Sequence, residues 1–260
     1  MCPKDKYTMY HLRPLLWIIL FIFLVHSCVD NAKAATPAIT AHAWLVADEN
    51  GAVIDGVNTA EVRSIASITK LLTVMIVLDA GQDLDEGIKT TRYNSTISRH
   101  MLMDMALVRS DNTAAVLLCQ HYPTGYAGCI QALNDKAQSL GMTDTHLDDP
   151  TGLDKHNVST ADDLLKLVQA ASMYSLIVEA GNKDSVTLQT KKKRFLSFRN
   201  TNPMVGQGHG IIVSKTGFIN RAGGCIVMTL LTINGFRTVI LLGSKNTRTR
   251  ISEATFLSLK

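Results

Sequence analysis

From Ile68 to Ala80 the chain reads Ile-Thr-Lys-Leu-Leu-Thr-Val-Met-Ile-Val-Leu-Asp-Ala, followed by Gly81. Beyond its first turn this run is apolar on every side, and a helix with no polar face has to be surrounded by other elements. It is too short to cross a bilayer, which takes about 20 apolar residues. The spacing therefore predicts a central buried helix that stops at Gly81. Its start carries chemistry. Ser67 and Lys70 are three residues apart, so on a helix they share a face. The dipole places partial positive charge there, which disfavours a lysine cation and favours an alkoxide, so the bias runs toward proton transfer from Ser67 to Lys70. Ser-x-x-Lys alone equally describes an N-cap serine beside a solvated lysine, and it gains meaning only from partners elsewhere.

The chain has 260 residues, 46% of them apolar, enough for one sizeable core. Lys4, Lys6 and Arg13 precede an apolar run of 11 residues, Leu15 to Val25, and Ala32-Lys33-Ala34 offers the small residues a signal peptidase reads. Residues 1–34 are read as a secretory signal, leaving 35–260 as one catalytic domain exported to the periplasm. With the leader removed any membrane association is loose, and lipidation at Cys28 and retention as an uncleaved anchor are the alternatives. Removing the leader takes away four basic and two acidic residues and lowers the net charge from +4 to +2, which gives no reason to expect a nucleic acid partner. The basic run Lys191-Lys192-Lys193-Arg194 reads as a solvated loop or strand edge, or as a contact for an anionic polymer. Cys119, Cys129 and Cys225 remain after the leader. One internal bridge is allowed, with Cys119 and Cys129 nearest in sequence, and buried thiols are as good an account.

Two antiparallel strands, His42 to Ala47 and Ala52 to Val57, flank Asn50-Gly51, a tight-hairpin signal. Asp83 to Ser98 reads as a loop with a short helix or ribbon. Helical spacing returns near Arg99, breaks at Ser110-Asp111-Asn112 and resumes at Thr113, giving a helix-loop-helix whose loop can aim side chains at one spot. Ile130, Leu133, Ala137 and Leu140 mark a further helix ending at Gly141, and Ser159 with Asp162 or Thr160 with Asp163 offers a capping box for the next. Residues 180 to 209 look polar and broken. Ile211 to Lys215, Cys225 to Ile233 and Phe236 to Leu242 then read as strands, the last two joined at Asn234-Gly235, with a weak helix from Ile251 to Leu259. The pattern predicts an α/β (α+β) fold, in which both ends of the chain build one five-stranded antiparallel sheet flanked by helices, with an all-helical subdomain between them.

Three signals thus occur in order: Ser67-x-x-Lys70, Ser110-Asp111-Asn112 and Lys215-Thr216-Gly217. This is the motif set of class A β-lactamases and penicillin-binding proteins. From Trp44 to Leu242 the chain resembles the low-molecular-weight penicillin-binding proteins of the D-alanyl-D-alanine carboxypeptidase family. The likeness is greatest to the periplasmic D-alanyl-D-alanine endopeptidases, at Ile65 to Leu71, His121-Tyr122-Pro123, Pro150 to Leu153, His156 to Thr160, Asn200-Thr201-Asn202 and Lys215 to Phe218.

The resemblance implies a β-lactamase/transpeptidase-like fold, peptidoglycan peptides as substrates and acylation by β-lactam antibiotics, with no cofactor and no metal. By that likeness Ser67 is the acylated nucleophile, Lys70 its proton acceptor, and Ser110 with Asn112 the second catalytic wall. Lys215 with Thr216 is the carboxylate clamp. Gly217 leaves room for substrate backbone, and the Ser67 and Phe218 amides form the oxyanion hole. Repulsion from Lys215 and partial burial are expected to depress the Lys70 pKa, and Asn112 to bind substrate amide or hold Lys70. His156 and His209 read as structural or surface groups.

Two departures stand out: a short Asp83 to Arg99 segment, which removes part of a cleft wall, and an unfamiliar Ser244 to Arg248, which points to an altered or truncated closing helix. With no second β domain or amphipathic tail in view, endopeptidase is favoured over carboxypeptidase. A β-lactamase is disfavoured because Glu179 is the lone glutamate between Asn112 and Lys215, and a non-catalytic peptidoglycan-binding module is the alternative from another class.

Overall fold

The computed structural model describes residues 38–191 and 193–260. The expected leader at 1–34 and Cys28 lie outside the described residues, as does Lys192 of the basic run.

Strands β1 (Ala43–Ala47) and β2 (Val53–Val57) form the first hairpin. Its connection is longer than the tight turn that Asn50-Gly51 predicts, because Asp48 Oδ1 accepts from the amides of Asn50 and Ala52, both at 2.9 Å, and so organises a wider loop. A short strand, β3 (Arg63–Ser64), leads into a 3-10 turn, Ala66–Thr69, and then α1 (Lys70–Asp79). Ser67 thus sits one turn before the α-helix proper. Every residue of α1 from Lys70 to Val77 is buried, as its all-round apolar surface requires, and the chain leaves the helix at Gly81 with φ +60°.

The Asp83 to Ser98 stretch is a two-stranded ribbon of β4 (Gly87–Thr90) and β5 (Ser95–Ser98). Ser98 caps α2 (Arg99–Val108) by accepting from Met101 N, and Asp111 caps α3 (Asn112–Gln120) by accepting from Ala114 N at 2.9 Å. A disulfide, Cys119–Cys129, joins the end of α3 to α4 (Gly125–Ser139). β6 (Val158–Ser159) pairs with β3 and precedes α5 (Ala161–Ala171), which Thr160 caps through Asp163 N. The 180 to 209 stretch is more ordered than its polarity suggests. It contains the end of α6 (Ser175–Asn182) and a ribbon of β7 (Ser185–Gln189) and β8 (Phe195–Arg199), whose exposed tip carries Lys191, Lys193 and Arg194. Alternation is what sequence misread there: Val186 and Leu188 are buried while Ser185, Thr187 and Gln189 are not.

Strands β9 (Ile211–Ile219), β10 (Gly223–Thr232) and β11 (Gly235–Ser244) complete the sheet, with order β2-β1-β11-β10-β9 and every pairing antiparallel. The last turn is Ile233-Asn234, one residue earlier than predicted, since Gly235 already pairs with Thr232. Period-two alternation divides the core. Leu45, Val227 and Ile240 face a large cluster with α1, whereas Trp44, Met228, Val239 and Leu241 face a smaller one. That second face is covered by α7 (Thr247–Leu257), contributing Ala254 and Leu257. The closing helix is therefore intact, started by Asn246, whose side chain accepts from the amides of Arg248 and Thr249. Among the described residues no helix is long and apolar enough to cross a membrane.

Candidate active site

Ser67 and Lys70 meet as their spacing predicts: Lys70 Nζ donates to Ser67 Oγ at 2.8 Å. The amine has a second partner that sequence reasoning missed, the Thr151 carbonyl at 2.7 Å. Lys70 is fully buried. Burial brings it down from the ordinary 10.5 to about 7, and the negative charges of Asp149 and Asp111 partly oppose that fall. Desolvation is the largest cause, and the expected repulsion between Lys70 and Lys215 acts on the pair.

From the opposite side, Lys215 Nζ donates to Ser110 Oγ at 2.9 Å and to the Thr216 carbonyl at 2.9 Å. Burial holds this second amine well below its usual range, reinforced by the positive charges of Lys70 and Arg250. Ser110 is reached because its φ of +63° turns the chain sharply between α2 and α3, a backbone state that costs a non-glycine residue about 1 kcal/mol or more. Asp111 stabilises that turn, accepting from Tyr93 Oη at 2.5 Å while Arg109 donates to Tyr93 Oη at 3.0 Å. Tyr93 lies between β4 and β5, so the short ribbon braces the Ser110 turn. Asn112 does not hold Lys70, and its Oδ1 has no partner among the described residues.

The two halves are brought together at Gly217. A Cβ there would lie 2.9 Å from Ser67 N and 3.0 Å from Ile65 O, so β9 can pass the Ser67 turn only where a side chain is lacking. The expectation that Gly217 makes room for substrate is thus joined by a packing reason within the chain itself. Thr216 Oγ1 donates to Thr201 Oγ1 at 2.7 Å, and Phe218 is exposed at the end of the groove. Arg250 of α7 donates to the Gly217 carbonyl at 2.7 Å. It was missed in the sequence because an isolated arginine in a weakly periodic helix carries no local mark.

Gly152 makes a second close approach. Its φ is +80°, and a Cβ would meet Ala66 O at 1.8 Å. We expect Gly152→Ala to lower stability by about 2–4 kcal/mol in denaturant unfolding and to slow acylation with it. Cys225 offers no rival nucleophile, since burial pushes its thiol up to about 11. His156 is exposed on the surface beside Asp148 and Asp154.

A hydroxyl bonded to a buried amine of depressed basicity, with a second serine and lysine across the groove, is the arrangement of a serine acyl-transfer enzyme that uses lysine as base. The chain matches the profile of the family described as D-alanyl-D-alanine carboxypeptidase over residues 30–91 and 85–245. It is 36% identical to a D-alanyl-D-alanine endopeptidase of Escherichia coli over 98% of this chain and 88% of that protein. A D-alanyl-D-alanine endopeptidase of Pseudomonas aeruginosa is 35% identical over 93% and 84%. Penicillin-binding protein D2 of Listeria monocytogenes, solved with ampicillin bound, superposes with a TM-score of 0.75 at 28% identity, covering 86% of this chain and all of that one. The chain belongs to the D-alanyl-D-alanine carboxypeptidase family and is a serine-type hydrolase.

Proposed function

We propose that the protein is a periplasmic D-alanyl-D-alanine endopeptidase that opens peptidoglycan cross-links through an acyl-enzyme on Ser67, and that β-lactams acylate the same hydroxyl. The observation that carries this is the Lys70 amine, 2.8 Å from Ser67 Oγ and held at about 7, where it is neutral often enough to act as a base. Ser67 Oγ attacks the D-alanyl carbonyl as its proton passes to Lys70 Nζ. The amides of Ser67 and Phe218 receive the oxyanion. The proton that Lys70 took passes on to the departing amine through Ser110, which leaves Lys70 neutral and able to act as base again when water releases the acyl group. Asn112, with a free acceptor, bonds the acyl-chain amide. Lys215 and Arg250 supply positive charge and Thr216 a hydroxyl for the carboxylate beside the scissile bond, and Gly217 lets β9 run close to Ser67. The secretory leader read at 1–34 supports export, with at most a loose membrane association, and the near-neutral charge gives nucleic acid no purchase.

That carboxylate occurs both on a terminal D-alanine and on the D-centre of a cross-linking diamino acid, so it does not choose between carboxypeptidase and endopeptidase. The likeness to two endopeptidases favours the latter. Digestion of purified muropeptide dimers, read by mass, is expected to give monomers; trimming of single stems with dimers intact would reverse the assignment. Lys215→Ala is expected to weaken acylation by substrates with a free carboxylate at least about tenfold more than by amidated ones, and equal losses would remove Lys215 from the clamp.

A further inference from the structure

A protonated lysine amine has three hydrogens to place and no acceptor of its own. In Lys70, Ser67 Oγ and the Thr151 carbonyl take two of them, so the aim of the amine depends on whatever holds the Thr151 turn. That turn is built on Asp149. Its Oδ1 accepts from Thr151 N, from Thr151 Oγ1 at 2.7 Å and from Gly152 N at 2.7 Å, while Oδ2 accepts from Asp154 N. One carboxylate therefore fixes both the carbonyl that Lys70 uses and the glycine that packs on the Ser67 turn.

The turn is in turn locked to α1 from behind. Asn157, fully buried, accepts at Oδ1 from Asp148 N at 2.9 Å and Asp149 N at 3.1 Å, and donates from Nδ2 to Asp149 O at 2.7 Å and Thr69 Oγ1 at 3.1 Å. Thr73 Oγ1 donates to Pro150 O at 2.8 Å. A brace made of neutral amides and hydroxyls needs an acceptor, yet nothing in that task requires a charge. The half-buried Asp149 nevertheless carries one. Burial raises its pKa, but the hydrogen bonds from Thr151, Asp154 and Gly152 outweigh it and leave the group below its ordinary value. The donors that meet it are neutral, three backbone amides and the Thr151 hydroxyl. Its field is left to act on Lys70. The other charges facing this amine are Asp111 before α3 and Lys215 on β9, with Arg250 of α7 beside Lys215.

We propose that Asp149 is a positioning residue for Lys70: it aims the Thr151 carbonyl at the amine, and its negative charge sets how far the pH must rise before Lys70 is free to take the Ser67 proton. This rests on the peptidase reading and goes beyond it. A base has to be neutral, so acylation rises with pH through the Lys70 titration, and the acidic limb of the profile reports it. The Asp149 charge favours the protonated amine. Removing it moves the limb to lower pH.

The test is the rate of acylation by a fluorescent penicillin across pH in the whole protein, for wild type, Asp149→Asn, Asp149→Ser and the half-exposed control Asp154→Asn, with folding checked by thermal melting. The expected result is a lower plateau in both Asp149 variants, and a variant-to-wild-type ratio that climbs as pH falls from about 8 to about 5. Asp154→Asn is expected to leave the limb in place. A folded Asp149 variant with an unmoved limb overturns the proposal. So does failure of both variants to fold, which assigns the carboxylate a structural role alone. Wild-type protein that takes no label at all would instead sink the peptidase reading on which the proposal stands.

Discussion

Ser67→Ala is expected to abolish covalent labelling by a fluorescent penicillin and to lower turnover of a D-alanyl peptide by roughly 10⁴ to 10⁶, the range seen when the nucleophile of a serine hydrolase is removed. The cost to the fold is small. Ser67 Oγ makes one hydrogen bond, as acceptor from Lys70, and that amine keeps the Thr151 carbonyl when the hydroxyl is lost. The Cys225 thiol is buried and held at about 11, so it is not set up to replace Ser67. Retention of label in a folded Ser67→Ala protein, located by peptide mapping, would move the chemistry elsewhere.

Lys70→Met produces the second large effect, and it separates catalysis from stability. Acylation is expected to fall by about 10² to 10⁴, since the proton acceptor is gone while substrate contacts remain. Stability moves differently. The folded-state pKa of Lys70, about 7, lies below its ordinary 10.5, so between those values the unfolded chain binds the proton and the folded one does not. Stability therefore rises with pH across that window. Below about pH 7 wild type bears the whole cost of protonating a buried amine, on the order of 5 kcal/mol. Relative to wild type, Lys70→Met should gain most below about pH 7, and the gain should fade toward pH 10.5. Denaturant melts at several pH values measure it, and a difference independent of pH would mean that the amine is not depressed.

The central helix, the sheet joining both ends of the chain and the pairing of Ser67 with Lys70 were legible because each rests on side-chain identity at a fixed spacing. Ser110 and Lys215 were marked by their motifs, but their mutual hydrogen bond, 105 residues apart, was not. Thr151 was not, for a physical reason: it acts through a carbonyl, which every residue possesses. Asn157 stands in a stretch already marked by likeness to the endopeptidases and Asp149 just ahead of another, yet nothing local says that one aspartate gathers four donors. Arg250 meets Gly217 across the fold, beyond the reach of any periodicity. The β7–β8 ribbon was hidden by its polar outer face, and the bracing of Ser110 by Tyr93 depends on a ribbon that sequence could describe only as short.

Because β1 lies between β2 and β11, the strand made first in synthesis waits for one made almost last. The serine and its amine are translated early, while Lys215 and Arg250 follow near the end, so a growing or clipped chain holds the nucleophile without the groove that faces it. The protein gains its chemistry all at once, and a break after β10 should yield an inert chain rather than a slow enzyme.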